Sequence, residues 1–212
     1  MTAARRRVGV VDYQAGNLHS IRSAFEHLGA TVSSITRPDD IDGVTHILLP
    51  GVGAFGHCAA MLRSTGMVDA LEQAVRSEGK PMLGICVGMQ LMADHGEEMG
   101  GHPGLGWIGG TVRLIPAAPP AVRVPHVGWN DVTFTEPFGD FAAGASADFY
   151  FDHSFAYHDP VRGSVLGRCD HGGPFAAVIR DGALVAAQFH PEKSQAAGLR
   201  FLSGFLAMEP AC

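Results

Sequence analysis

The chain has no apolar run of about eighteen residues, the length that a membrane-crossing helix needs, so no bilayer span is expected. Charge is scarce as well. Fifteen lysines and arginines face 21 aspartates and glutamates, a formal net charge of −6, which leaves no basic footprint for nucleic acid or anionic lipid. The only basic run, Arg5-Arg6-Arg7, is short and leads directly into apolar sequence. Cysteine is rare and scattered: Cys58, Cys86, Cys169 and Cys212 form no Cys-x-x-Cys pair, which argues against a disulfide framework or a structural zinc site. A cysteine that matters here matters through its reactivity. The N-terminus lacks the apolar run and small-residue cleavage site of a signal peptide, so a cytoplasmic protein is expected. No metal or organic cofactor is indicated.

What is present is enough for a full core: 212 residues, 46% of them hydrophobic, fit one domain of ordinary size. That domain is expected over residues 7–208, between a disordered tail at 1–6 and a short C-terminal tail at 209–212. In the first half, short apolar runs alternate with helical patterns, as in parallel strands joined by crossover helices. Strands are expected at Val8–Val11, Thr31–Ile35, His46–Leu49 and Met82–Ile85. Leu18, Ile21, Phe25 and Leu28 mark a helix capped by Gly29, and Val68, Leu71 and Val75 mark another closed by Gly79. A further helix is expected from Gly88 to Asp94, then glycine-rich loops over 96–110 and proline-rich loops over 116–125. Strands follow at Val132–Phe134, Phe149–Phe151, Val165–Arg168, Ala176–Ile179 and Leu184–Phe189, with Asp181-Gly182 turning between the last two. Leu199, Leu202, Phe205 and Leu206 close the chain as a helix. The expected fold is α/β: a mixed, largely parallel sheet with helices on both faces.

Gly84-Ile85-Cys86-Val87-Gly88 lies between an apolar strand and a helix. In that context, glycines around a central side chain let the chain turn sharply and lift the side chain out of the sheet. The unpaired N–H groups of the helix start favour a thiolate over a thiol. A buried free cysteine is ordinarily inert packing, the reading kept for Cys58, Cys169 and Cys212. A thiolate attacking a carboxamide needs a proton donor for the departing nitrogen and a base for the water that follows, which suits histidine. His190 sits at the end of the Leu184–Phe189 strand, where open parallel sheets place their sites. Glu192, two residues on, can orient the imidazole. Gly51-Val52-Gly53-Ala54-Phe55-Gly56 matches a dinucleotide-binding string, but that fingerprint needs an acidic residue about twenty positions on, at a strand end. Asp69 and Glu72 fall in an amphipathic helix instead. The Gly51–Gly53 segment is better read as backbone close to Cys86, with the N–H groups of Val52 and Val87 as oxyanion donors.

With these residues in view, the chain resembles the class I glutamine amidotransferases, most of all their glutaminase subunits from histidine biosynthesis. The resemblance rests on DYQAGN (Asp12–Asn17), LPGVGAFG (Leu49–Gly56), GICVGMQ (Gly84–Gln90), PHVGWN (Pro125–Asn130), His153-Ser154 and QFHPEKS (Gln188–Ser194), and runs nearly end to end. It implies a three-layer, flavodoxin-like core and hydrolysis of L-glutamine, with Cys86 as nucleophile, His190 as acid and base, and Glu192 as orienter. Gly53, Gln90, Glu98, Ser154 and Phe155 fall where the family contacts glutamine; Trp129, Asn130 and Lys193 fall near its partner interface. The implied partner is a barrel-shaped cyclase subunit, forming a heterodimer and receiving ammonia through an internal passage. Trp129 fits an interface anchor or a buried core residue equally well from spacing alone. Gln14 stands where the family often has glycine, and Phe155 where it often has tyrosine. A related Cys-His hydrolase, the glutaminase of another amidotransferase, and a non-catalytic regulatory subunit are the alternatives.

Overall fold

The structure, a computed structural model, describes residues 6–15, 18–118, 122–160 and 163–210. Residues 1–5 of the tail expected at 1–6, residues 211–212 of the tail expected at 209–212 (Cys212 among them), and Gly16 and Asn17 of the DYQAGN segment lie outside the described residues. Elements follow in the order β1 (Arg7–Val11), α1 (Leu18–His27), β2 (Thr31–Ile35), β3 (His46–Leu49), α2 (Phe55–Ser64), α3 (Val68–Glu72), β4 (Met82–Ile85) and α4 (Val87–Gln90). The second half holds β5 (His95–Gly96), β6 (His102–Pro103), β7 (Thr111–Leu114), β8 (His126–Phe134), β9 (Ser146–His153), β10 (Phe155–His158), β11 (Ser164–Asp170), β12 (Pro174–Asp181), β13 (Leu184–Ala187) and α5 (Gln195–Leu206).

The main sheet runs β2-β1-β3-β4-β13-β12-β11-β8-β9. It is parallel from β2 through β13 and antiparallel from there to β9. Every residue of β3, β4 and β13 is buried, as strands covered on both faces require. The connection β1-α1-β2 steps one way along the sheet and β3-α2-α3-β4 the other. Right-handed crossovers therefore put α1 and α2–α3 on opposite faces, and the switch of direction lies between β1 and β3. α5 shares the α1 face, Phe205 meeting Phe25 edge-on at 6.2 Å, and its Phe201 joins Phe149 and Phe189, whose rings stack at 3.9 Å. No helix among the described residues is long and apolar enough to cross a membrane.

Three differences from the sequence expectations have physical causes. First, α2 was not expected, although Phe55, Cys58, Ala59 and Leu62 form its buried stripe at helical spacing. The glycine string ahead of it reads as a loop and hides the helix start. Second, the glycine-rich region holds a small second sheet, β10-β7-β5-β6, whose two-residue strands are too short for a periodic signal. Third, α4 ends at Gln90 rather than Asp94. The carbonyls of Leu91, Met92, Ala93 and Asp94 accept hydrogen bonds from the N–H groups of Leu105, Ile108, Gly106 and Gly104, so the glycine-rich loop replaces the next helical turn. Gln14, at the position where the resemblance leads one to expect glycine, has φ 67°, a left-handed conformation that glycine adopts without strain.

Gly88 is fixed by close approach: a Cβ there would lie 2.0 Å from the Leu49 carbonyl oxygen at the end of β3. Gly43, by contrast, has open space around it. Gly88→Ala is expected to cost more than about 3 kcal/mol, since backbone must move, whereas Gly43→Ala should stay within about 1 kcal/mol. Urea unfolding midpoints of the two variants check this; equal midpoints would remove the packing argument.

Candidate functional site

Cys86 stands between β4 and α4 with φ 55° and ψ −114°, a conformation that an L-residue adopts only under constraint. The constraint is visible: its N–H donates to the Ala187 carbonyl at 2.8 Å, which ties it to the end of β13. Cys86 as a whole is 4% exposed. Because β13 pairs with β4 in parallel, with Ala187 opposite Ile85, the residues after both strands emerge side by side. His190 is among them, itself buried, its backbone N–H held by the Tyr150 carbonyl at 2.9 Å and its carbonyl by the Ser194 hydroxyl at 2.6 Å. Its Nδ1 lies 2.9 Å from Glu192 Oε1, which directs Nε2 towards sulfur.

Burial works against the charged imidazole, but the Cys86 sulfur and then the Glu192 carboxylate outweigh it and push the His190 pKa up to about 10. At neutral pH the imidazole therefore keeps its proton. α4 is only four residues long, so the helix-start field expected from the sequence is a short one. Two neighbouring histidines behave oppositely. Burial lowers His153 to about 4, while burial and then the nearby His153 and His171 lower His126 to about 3, so both stay neutral.

A cavity of about 370 Å³, of a size suited to a small molecule, opens over the thiol. Of the expected site residues, Val52, Gly53, Cys86, Val87, Gln90, Glu98, Ser154, Phe155, His190 and Lys193 all line it. Glu192 lies behind His190 rather than on the wall. Gly53 reaches the wall with φ +96°. The Val52 carbonyl accepts a hydrogen bond from the Cys58 thiol at 3.3 Å, and Glu98 Oε2 caps the start of α2 by accepting the Phe55 N–H at 2.7 Å. Trp129 and Asn130 stand away from the cavity on β8. Trp129 is 49% exposed, which rules out the buried-core reading, and Asn130 bonds to His126 and to the Asp170 carbonyl. Asp69 and Glu72 lie in α3 as expected, so the Gly51–Gly56 string lacks its acidic partner. Pro125, Asp152 and His153 line the cavity without having been singled out; only the family segments containing Pro125 and His153 pointed to them. Among the described residues no group of three or more potential ligands could hold a metal ion.

The chain belongs to the class-I glutamine amidotransferase family, whose model matches residues 9–207. Curated relatives narrow the likeness further. It is 45% identical over 213 residues to the imidazole glycerol phosphate synthase subunit HisH of Rhodospirillum rubrum, covering 96% of this chain and all of that one. It is 42% identical to the subunit of the same name from Zymomonas mobilis, covering 98% of each. In fold it is similar to PurLQS from Thermotoga maritima, with a TM-score of 0.77 at 20% identity over 96% of this chain and 98% of that one. A crystal structure of a glutamine amidotransferase gives a TM-score of 0.74 at 21% identity over 94% and 96% of the two chains.

The raised pKa of His190 carries a stability consequence. The unfolded chain releases this proton near pH 6.5 and the folded chain near 10. The stabilisation is thus complete below about pH 6.5 and is lost as pH rises through about 10. Cys86→Ala removes the larger of the two raising partners, so its melting temperature should fall less than the wild type's between pH 7 and pH 10. Parallel melting profiles would contradict this origin of the shift.

Proposed function

We propose that this chain is the glutaminase subunit of imidazole glycerol phosphate synthase, hydrolysing L-glutamine and passing the ammonia to a cyclase subunit. The observation that carries the reading is the strained Cys86 beside a buried His190, itself held by Glu192 at 2.9 Å, at the floor of a small-molecule cavity. The extended likeness to HisH subunits supports the choice of pathway. In the proposed reaction the Cys86 thiolate attacks the carboxamide carbon and the carbonyl oxygen becomes an oxyanion facing the N–H groups of Val52 and Val87. His190 protonates the leaving nitrogen as the C–N bond breaks, leaving a glutamyl thioester and ammonia. Water that gives its proton to His190 then cleaves the thioester to glutamate and restores the thiolate.

Gly53, Gln90, Glu98, Ser154 and Phe155 are assigned to glutamine recognition, and Trp129, Asn130 and Lys193 to the cyclase face, in a heterodimer acting in the cytoplasm. Ammonia reaching the cyclase supports formation of imidazole glycerol phosphate and aminoimidazole carboxamide ribotide. Wasteful hydrolysis is avoided if the Val52 peptide turns its N–H inward only when the cyclase holds its own substrate. A missing oxyanion donor slows such chemistry roughly a hundredfold to a thousandfold.

The test mixes the chain with the cyclase and glutamine and follows glutamate with and without the cyclase substrate. Release should rise about a hundredfold or more on adding that substrate, and should vanish in Cys86→Ala. Glutamate from Cys86→Ala would end the mechanism. Equal turnover by the isolated chain and the loaded complex would end the gating.

A further inference from the structure

Gln188 lies between β13 and His190, completely buried and behind the wall of the cavity rather than on it. Its side chain touches two site residues. Oε1 lies 3.0 Å from Gln90 Nε2, and Nε2 lies 3.7 Å from Cys86 Sγ. The two ends of an amide are ordinarily interchangeable, and which one faces the sulfur decides whether Gln188 helps or hinders a thiolate.

The surrounding bonds settle the orientation. The Phe155 carbonyl can only accept, and two donors converge on it: Gln90 Nε2 at 2.9 Å and His153 Nδ1 at 2.8 Å. Gln90 must therefore present its NH₂ group there, and the second proton of that group is the one that reaches Gln188. An oxygen of Gln188 must receive it, so the Gln188 NH₂ faces the sulfur. The other arm is fixed in the same way. His153, donating through Nδ1, must accept at Nε2 from His126 Nδ1 at 2.9 Å, and His126 must accept at Nε2 from Asn130 at 3.1 Å. The Asn130 amide also donates to the Asp170 carbonyl, so the far end is anchored on an acceptor-only group as well. Both imidazoles are neutral at pH 7, as this alternation of donor and acceptor requires.

We propose that Gln188 is a catalytic residue of the glutaminase, donating an amide hydrogen to the Cys86 thiolate from an orientation fixed through Gln90 by the Phe155 carbonyl. The proposal rests on the glutaminase reading above. A neutral donor stabilises the anion without adding a second cation that would compete with His190, and it acts in a buried place where water cannot substitute. Hydrogen bonds to charged groups carry roughly ten- to a hundredfold in such equilibria, and the long N–H to sulfur distance puts this one near tenfold.

Gln188→Met keeps the volume and removes the donor. At pH 7 the ultraviolet thiolate absorbance of the full chain, measured against Cys86→Ala, should drop clearly, and alkylation of Cys86 by iodoacetamide should slow about tenfold. With the cyclase and its substrate present, kcat should fall by a similar factor. A merely supporting role towards Gln90 would raise KM and leave absorbance and alkylation untouched, and that result would overturn the proposal. A second measurement needs no variant of Gln188: in the ¹⁵N-labelled wild-type chain, the Gln188 side-chain amide resonances should move when Cys86 is methylated. Unmoved resonances would equally overturn it. Alkylation, absorbance and resonance all report without glutamine, so a chain that failed to hydrolyse glutamine would refute the glutaminase reading and leave these results interpretable.

Discussion

The backbone of one residue organises this molecule. Cys86 is held at φ 55° and ψ −114°, and a strained residue persists only where its neighbours over-determine it. Three parts of the fold supply that determination. The β4–β13 pairing fixes the chain before the turn, the Ala187 carbonyl holds the Cys86 N–H, and the absence of a side chain at Gly88 lets the start of α4 press against the end of β3. The central strands are buried on both faces, which anchors the turn in a core that does not yield. The same pairing carries the chain from β13 to His190, so Cys86 and His190 are placed by one piece of sheet.

The site is also a problem in burying polarity. Cys86, Gln90, His153, Gln188 and His190 are nearly closed to water, and each would cost stability if left unpaired. They are paired in two ways. One is charge: His190 between the sulfur and Glu192, with its proton retained up to about pH 10. The other is neutral and directional, a chain of amides and imidazoles that meets at the Phe155 carbonyl. The neutral network keeps its order because burial prevents His126 and His153 from charging. Opposite pKa shifts in histidines of one site thus serve one end, a single arrangement of protons around the sulfur.

The parts legible in the sequence are those where short-range pattern and burial agree. β2, β3 and β4 are bounded in the structure as their apolar runs suggest, and Gly84 and Gly88 around Cys86 announce the turn between strand and helix. Where long-range contacts decide, the pattern fails. The end of α4 depends on N–H groups from residues 104–108, which nothing near Gln90 foretells. β8 and β9 run well beyond their apolar cores because their outer residues alternate with solvent on an antiparallel ribbon. His190 could be chosen among eleven histidines by its strand-end position. Gln188, two residues earlier, gave no such signal, since a lone amide becomes informative only when the partners that orient it are known.

The raised pKa of His190 has a further meaning for the proposed reaction. A group that holds its proton up to about pH 10 would be a poor acid if that value were permanent. It is not permanent, because the sulfur is the larger of the two partners that raise it, ahead of Glu192. As the Cys86 thiolate forms its bond to carbon, its negative charge passes to the oxyanion and its support for the imidazolium is withdrawn. Burial then acts against the charged ring with only Glu192 opposing it, and the pKa falls just when the nitrogen must take a proton to leave. After ammonia departs, the neutral ring faces a thioester and can take a proton from water. Cleavage of the thioester regenerates the thiolate, and with it the partner that holds the proton for the next cycle. In the proposed reaction, bond making at sulfur and proton transfer at nitrogen are thereby coupled through the same buried pair, with Glu192 keeping Nδ1 occupied and Nε2 turned towards the sulfur.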